Sequence, residues 1–285
     1  MKLGFSAWAM RELPVDRQIE IVRDAGYAAI CLVSGPNFPL DATTVDADER
    51  RRIRGLLDEA GLELSAIAGH ANLLEPDEMV RAANVDRVKA TLDLAADLAE
   101  PGGPPPVICM GYGTPERSGV ERHALALAFG ELARYAESRG GVLALEPHVG
   151  QAFDEPEKVA WLMEEVDSPH FRLNLDNSHF EVLGRDLDDY LPLLVPYTVH
   201  TDLKDQRGRY PEHEFLVPGE GDFDYARYLR AMDRAGYDGC ITVEISVMVQ
   251  RRPNYDPVDV ARRSFATLAA AERASGVTLV HGLGV

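Results

Sequence analysis

Residues 141–148 read Gly-Val-Leu-Ala-Leu-Glu-Pro-His, and the fold is decided by how this stretch is read. Val142, Leu143, Ala144 and Leu145 make a short continuous apolar run that Glu146 and Pro147 end. A strand buried on both faces reads this way, as the inner strands of a parallel sheet do. A carboxylate at the carboxyl end of such a strand is costly to bury unless a metal ion or a hydrogen-bond network pairs with it. The pattern returns three times downstream. Phe171-Arg-Leu-Asn-Leu runs into Asp176, Tyr197-Thr-Val-His-Thr into Asp202, and Cys240-Ile-Thr-Val into Glu244.

Working outward from these four, the chain alternates strand and helix throughout. Strands are expected over 2–6, 28–33, 64–68, 107–110, 142–146, 171–176, 197–202 and 240–244. Helices are expected over 14–25, 45–60, 77–99, 116–139, 155–166 (with Asp154 as N-cap), 187–194, 223–235 and 256–274. Trp8 falls on the loop after the first strand. Gly111–Thr114 reads as a glycine-rich turn, and 206–222 as a long loop. Helices between strands imply parallel pairing and right-handed crossovers. Eight such units in 285 residues fit a single α/β domain over 1–285, a closed (β/α)8 TIM barrel. The runner-up is a doubly wound sheet, but Ser6-Ala-Trp-Ala-Met after the first strand has no glycine cluster to cradle a dinucleotide or phosphate. Pro101 to Pro106 is too short a breaker to divide domains.

The formal net charge of -18 argues against nucleic acid, whose phosphates such a field repels. Cys31, Cys109 and Cys240 all sit inside apolar runs, which reads as reduced, buried thiols and a cytoplasmic protein. No secretory h-region and no apolar run near the roughly 20 residues of a membrane span is visible. The sequence is silent on oligomeric state, and a homo-oligomer is compatible with it.

In a closed barrel the loops after strands five to eight open on one face, so Glu146, Asp176, Asp202 and Glu244 converge there. Four acids in one place repel, and a hard divalent cation relieves them. Oxygen ligands suit Mn²⁺ or Mg²⁺, with Co²⁺ or Zn²⁺ as further choices. His179 follows Asp176 by three residues. His70 and His148 follow strands three and five. Lys204 shares a strand face with Asp202 and His200. Trp8 offers a stacking surface for a sugar. Arg207 and Arg209 on the long loop read as solvated charges or as contacts for an anionic group.

Several of these motifs together resemble one family. Asp176-Asn-Ser-His179, the run His200-Thr-Asp202-Leu-Lys204-Asp205, the Pro218-Gly-Glu-Gly-Asp-Phe-Asp224 loop and Val243-Glu244 are similar to the sugar phosphate isomerase/epimerase superfamily. These are barrels of xylose-isomerase-like fold, which also include ketose 3-epimerases, inosose dehydratase and abasic-site endonucleases. The resemblance covers the whole chain. It implies one divalent metal held by two Glu, one Asp and one His, and places Glu146, Asp176 and Glu244 in three of those positions. The fourth, normally His, is Asp202 here, so either Asp202 ligates or His200 substitutes from two residues earlier; Asp202 is the expectation. His179, His200, Lys204, His70, His148 and Trp8 are then expected around a carbohydrate substrate.

The implied activity is isomerisation or epimerisation through an enediolate, with Glu146 and Glu244 as base and acid. Loss of a β-hydroxyl from the same intermediate makes a dehydratase of inososes or keto-glycosides the alternative. An abasic-site endonuclease fits poorly, because strand four ends Met110-Gly-Tyr without a needed His. A non-catalytic sugar-binding barrel is expected to have lost an acid, and all four are present.

Overall fold

The computed structural model describes residues 1–110, 112–113 and 118–282. The turn expected at Gly111–Thr114 lies partly outside these residues, as do the first two positions of the helix expected over 116–139.

The strands are β1 (Lys2–Ser6), β2 (Ala29–Val33), β3 (Glu63–Ala68), β4 (Val107–Met110), β5 (Leu143–Glu146), β6 (Phe171–Asp176), β7 (Thr198–Leu203), β8 (Asp205–Arg209), β9 (Glu212–Leu216) and β10 (Cys240–Val243). All but β8 and β9 close into one barrel in the order β1, β10, β7, β6, β5, β4, β3, β2. Each barrel pairing is parallel. The expected (β/α)8 barrel is therefore the observed fold. Its outer helices are α1 (Val15–Asp24), α2 (Ala47–Ala60), α3 (Glu78–Asp97), α4 (Ser118–Ser138), α5 (Pro156–Val166), α7 (Leu187–Leu194), α8 (Tyr225–Arg234) and α10 (Pro257–Ser275); α6 (Asn177–Val182) and α9 (Val247–Gln250) are short additions at the strand ends.

Asp46, Asp77, Asp186, Asp224 and Asp256 start α2, α3, α7, α8 and α10, each side chain accepting from a backbone N–H of its own helix. Such a cap is worth about 1 kcal/mol. Asp154 does not do this for α5. Glu155 occupies the cap position without a side-chain bond, and Asp154 instead pairs with Lys158 at 2.6 Å.

Alternation along the strands sorts the residues between the barrel's two surfaces. Leu143, Leu145, Leu173, Leu175, Leu203, Ile241 and Val243 belong to the buried apolar core. Asn174, His200, Thr242 and Ser65 meet one another inside the barrel: His200 Nδ1 is 2.8 Å from Asn174 Oδ1, and His200 Nε2 is 2.9 Å from Thr242 Oγ1 and 3.1 Å from Ser65 Oγ. The interior beneath the strand ends is thus polar, where the sequence reading has strands apolar on both faces. Gly4 gives this layer room, since a Cβ there would stand 3.0 Å from Thr242 Oγ1.

The segment expected as a loop over 206–222 contains an antiparallel hairpin of β8 and β9, in register from Asp205 opposite Leu216 to Arg209 opposite Glu212. Trp8 lies in a short 3-10 helix, Ala7–Met10, rather than in irregular loop. Among the described residues no helix is long and apolar enough to cross a membrane.

Candidate functional site

Glu146 closes β5, Asp176 closes β6, Asp202 lies one residue before the end of β7, and Glu244 follows β10. These strands are neighbours in the barrel, and Asp176 sits beside Asp202 in register. All four acids are buried. Carboxylate oxygens of Glu146, Asp202 and Glu244 lie within 4.8 Å of one another. Asp176 stands apart from that trio: its Oδ1 accepts from the backbone N–H and the hydroxyl of Ser178 at 2.9 and 2.6 Å, which starts α6, and its Oδ2 faces Lys204.

Lys204 is the cation of the cluster. Only 3% exposed, it bridges Asp176 and Glu244. Its sequence neighbour Asp205 is not among its partners. Asp205 turns away and accepts the backbone N–H groups of Gly219, Gly221, Phe223 and Gln206 at 2.8, 2.9, 3.2 and 2.9 Å, fixing the Pro218–Asp224 loop to the end of β7.

Histidines surround Glu146. His148 Nε2 is 2.8 Å from Glu146 Oε1, and His70 Nε2 is 3.6 Å from Oε2. His179 stacks near His148 with ring centroids 4.0 Å apart, accepts the Val149 N–H at its Nδ1, and places Nε2 3.3 Å from Asp176 Oδ2.

The electrostatics divide the acids. Burial works against the charge of Glu146, but His148, His70 and Lys204 outweigh it and hold the group down to about 2. Asp176 is held well below the usual range, its burial overcome by Lys204 and His179. Asp202 is pushed well up by burial and then by the charges of Glu244 and Glu146. Glu244 is raised chiefly by burial, with Lys204 opposing. Burial disfavours the Lys204 ammonium, yet Asp176 and Glu244 raise it well above its ordinary value. Burial pushes His179 down to about 4 and His200 to about 3, so both are neutral at pH 7.

A divalent cation fits this chemistry. Of the four carboxylates Lys204 pairs with two, three offer oxygens to a common point, and among the described residues Asp202 Oδ1 is buried with no hydrogen-bond partner. Glu146, His148 and His179 form a second, overlapping set of potential donors.

A cavity of about 260 Å³ opens above the acids. Of the residues expected around a substrate, Trp8, His70, His148, His179 and Lys204 line it, together with Glu146 and Glu244. His200 does not. It is fully buried one layer below, with both ring nitrogens engaged, and cannot touch a substrate. Arg207 and Arg209 are not on the cavity wall either. The wall also includes Met110, Phe215 from β9 and Met248 from α9, none singled out in the sequence. Phe215 was hidden by the loop assignment. Met248 had no signal beyond its place after a strand-end acid.

Comparison with known proteins agrees with this architecture. The family model described as xylose isomerase-like TIM barrel matches residues 19–278. Fructoselysine 3-epimerase of Shigella flexneri is 24% identical over 281 residues, covering 96% of this chain and all of that protein. Inosose dehydratase of Clostridium perfringens is 27% identical over 139 residues, covering 44% of this chain and 47% of its own. The crystal structure of IolI protein with a bound zinc atom superposes with a TM-score of 0.76 at 18% identity, covering 96% of this chain and 98% of that one. A family match spanning most of the chain, on a closed barrel with acids at the ends of β5, β6, β7 and β10, establishes that this chain belongs to the xylose isomerase-like TIM barrel family.

Proposed function

We propose that the chain is a divalent-metal-dependent isomerase or epimerase of a ketose, keto-sugar or related polyol. The observation that carries this reading is a pair of buried glutamates, Glu146 and Glu244, lining one cavity with Asp202 between them. The relatives support the substrate class, since the names of two of them describe an epimerase of a sugar derivative and a dehydratase of an inosose.

Glu146, Asp202 and Glu244 would hold the ion, with Asp176 as the fourth candidate. All-oxygen donors favour Mn²⁺ or Mg²⁺, and the zinc in the IolI structure is a further precedent for a divalent ion. When bound, the ion supplies a Lewis acid that draws charge from a carbonyl and its neighbouring hydroxyl and so acidifies the hydrogen on the carbon between. The side chains do the rest. Glu146, steadied by His148, takes that proton from carbon, and Glu244 delivers one to the opposite side. Trp8, Phe215 and Met248 give the cavity apolar walls that limit water around the carbanionic carbon. His179 and Lys204 donate to substrate oxygens.

A dehydratase uses the same first step, and the inosose dehydratase relative favours it as the second reading. One glutamate removes the proton, and the other protonates the departing β-hydroxyl as water.

The test is turnover of ketoses, inososes and keto-glycosides in D₂O with Mn²⁺. An epimerase or isomerase incorporates solvent deuterium at the reacting carbon and conserves the formula; a dehydratase releases water. Glu146→Gln and Glu244→Gln keep the side-chain shape and lose the base, a loss of about 10²–10⁴ in rate. At least one of them should still exchange deuterium without completing turnover. Wild-type rates in both variants, folded and metal-loaded, sink the proposal.

A further inference from the structure

We propose that Asn174, oriented by His200, fixes Asp202 as a donor of one oxygen only, and that this device lets an aspartate serve where the family resemblance expects an imidazole. The inference rests on the metal-dependent reading given above. Three buried hydrogen bonds carry it.

Asn174 is fully buried on β6, two residues below Asp176, and its Nδ2 donates to Asp202 Oδ2 at 2.7 Å. The amide thus turns its NH₂ toward Asp202 and its oxygen toward His200, the arrangement that an ionised, metal-holding Asp202 needs because it can only accept. His200 Nδ1 is 2.8 Å from that oxygen and must therefore carry the ring proton. The remaining nitrogen, Nε2, is then an acceptor, and the hydroxyls of Thr242 and Ser65 stand 2.9 and 3.1 Å from it. Each donor and acceptor in the chain Thr242–His200–Asn174–Asp202 has one consistent role.

The consequence falls on Asp202. A free carboxylate can present either oxygen or both to a cation. Here Oδ2 accepts from Asn174, while Oδ1 is buried without a partner among the described residues and belongs to the residue that joins Glu146 and Glu244 in one cluster. An imidazole ligand offers one atom, and Asp202 so held also offers one atom. Partners that orient a ligand in this way typically govern metal affinity by 10–100-fold.

Mn²⁺ binding by calorimetry and the electron paramagnetic resonance spectrum of bound Mn²⁺ test this without substrate. Wild-type protein should bind one Mn²⁺ per chain; no binding refutes the metal reading itself. With wild-type binding in hand, Asn174→Leu or Asn174→Ala, whichever folds, should weaken Mn²⁺ by about 10–100-fold and change the zero-field splitting in the spectrum. Asp202→Ala should weaken it more than His200→Ala. In an Asp202→Asn background, Asn174→Ala should cause little further loss, because the oxygen it orients is already compromised. Wild-type affinity and an unchanged spectrum in the folded Asn174 variant overturn the proposal. So does a full additive loss in the double variant, which marks Asn174 as structural packing.

Discussion

Lys204→Met removes the one ammonium from a cluster of four buried acids, and its cost follows from the ion pairs it makes. Lys204 bridges Asp176 and Glu244, all nearly inaccessible to solvent. Methionine keeps the bulk and leaves two carboxylates without their cation. Removing one partner of a buried pair costs about 3–5 kcal/mol. For a chain of this size one kcal/mol shifts Tm by roughly 2 °C, so a fall of roughly 6–10 °C is expected in EDTA. The sign of the pH dependence is fixed as well. In the wild type Asp176 is held low, so its contribution is present above about pH 4 and is lost only as pH falls through the depressed value. In the variant His179 alone opposes burial, so Asp176 moves up from its depressed value and its charged form is less favoured at neutral pH than in the wild type. The gap between the two proteins should therefore be largest near pH 7 and narrow as pH falls. Mn²⁺ sharpens the test. Without the competing ammonium the variant should bind the ion more tightly, each tenfold being worth 1.4 kcal/mol, so saturating Mn²⁺ should raise its Tm more than that of the wild type. Equal melting of the two proteins in EDTA at pH 7, or an equal Mn²⁺ increment, refutes the reasoning.

Two shorter predictions accompany it. EDTA should abolish turnover and added Mn²⁺ should restore it at one ion per chain; full activity in a preparation shown by elemental analysis to be metal-free contradicts the metal reading. Burial raises Glu181 to about 7, with the Tyr190 hydroxyl 3.3 Å away. Its contribution is thus full below about pH 4 and is lost as pH rises through 7, so Glu181→Gln should gain about 1–2 kcal/mol on the wild type at pH 8 and little at pH 5, after discounting for partial exposure; equal urea midpoints at both pH values exclude it.

The barrel was legible because its outward face is monotonous. Leu143, Leu145, Leu173, Leu175, Ile241 and Val243 recur at period two, and this was enough to find the strands even though Asn174, His200 and Thr242 interrupt them. Treating those interruptions as incidental hid the polar interior. The hairpin of β8 and β9 was missed for the opposite reason: Gln206, Arg207, Gly208 and Arg209 carry no apolar alternation, because that strand lies outside the barrel with three of its five residues in water. Lys204 illustrates a third limit. Its strand face was readable, but its partners belong to β6 and β10, and only the barrel order brings them to it.

His200 and Asp202 show where parity stops being informative. Both point into the barrel, so alternation alone cannot say which one meets a ligand. Depth separates them. Two residues along a strand span about 6.6 Å, and in register His200 pairs with Asn174 while Asp202 pairs with Asp176. The first pair lies in a closed layer where every nitrogen of the imidazole finds a protein partner. The second lies at the rim, where Asp202 keeps one oxygen unclaimed beside Glu146 and Glu244. A histidine at position 202 would find its ring nitrogen at that rim; a histidine at position 200 finds Thr242 and Ser65 instead. The same residue type two positions apart is therefore a ligand candidate in one case and a buried support in the other, and the difference is set by the stagger of β6 against β7.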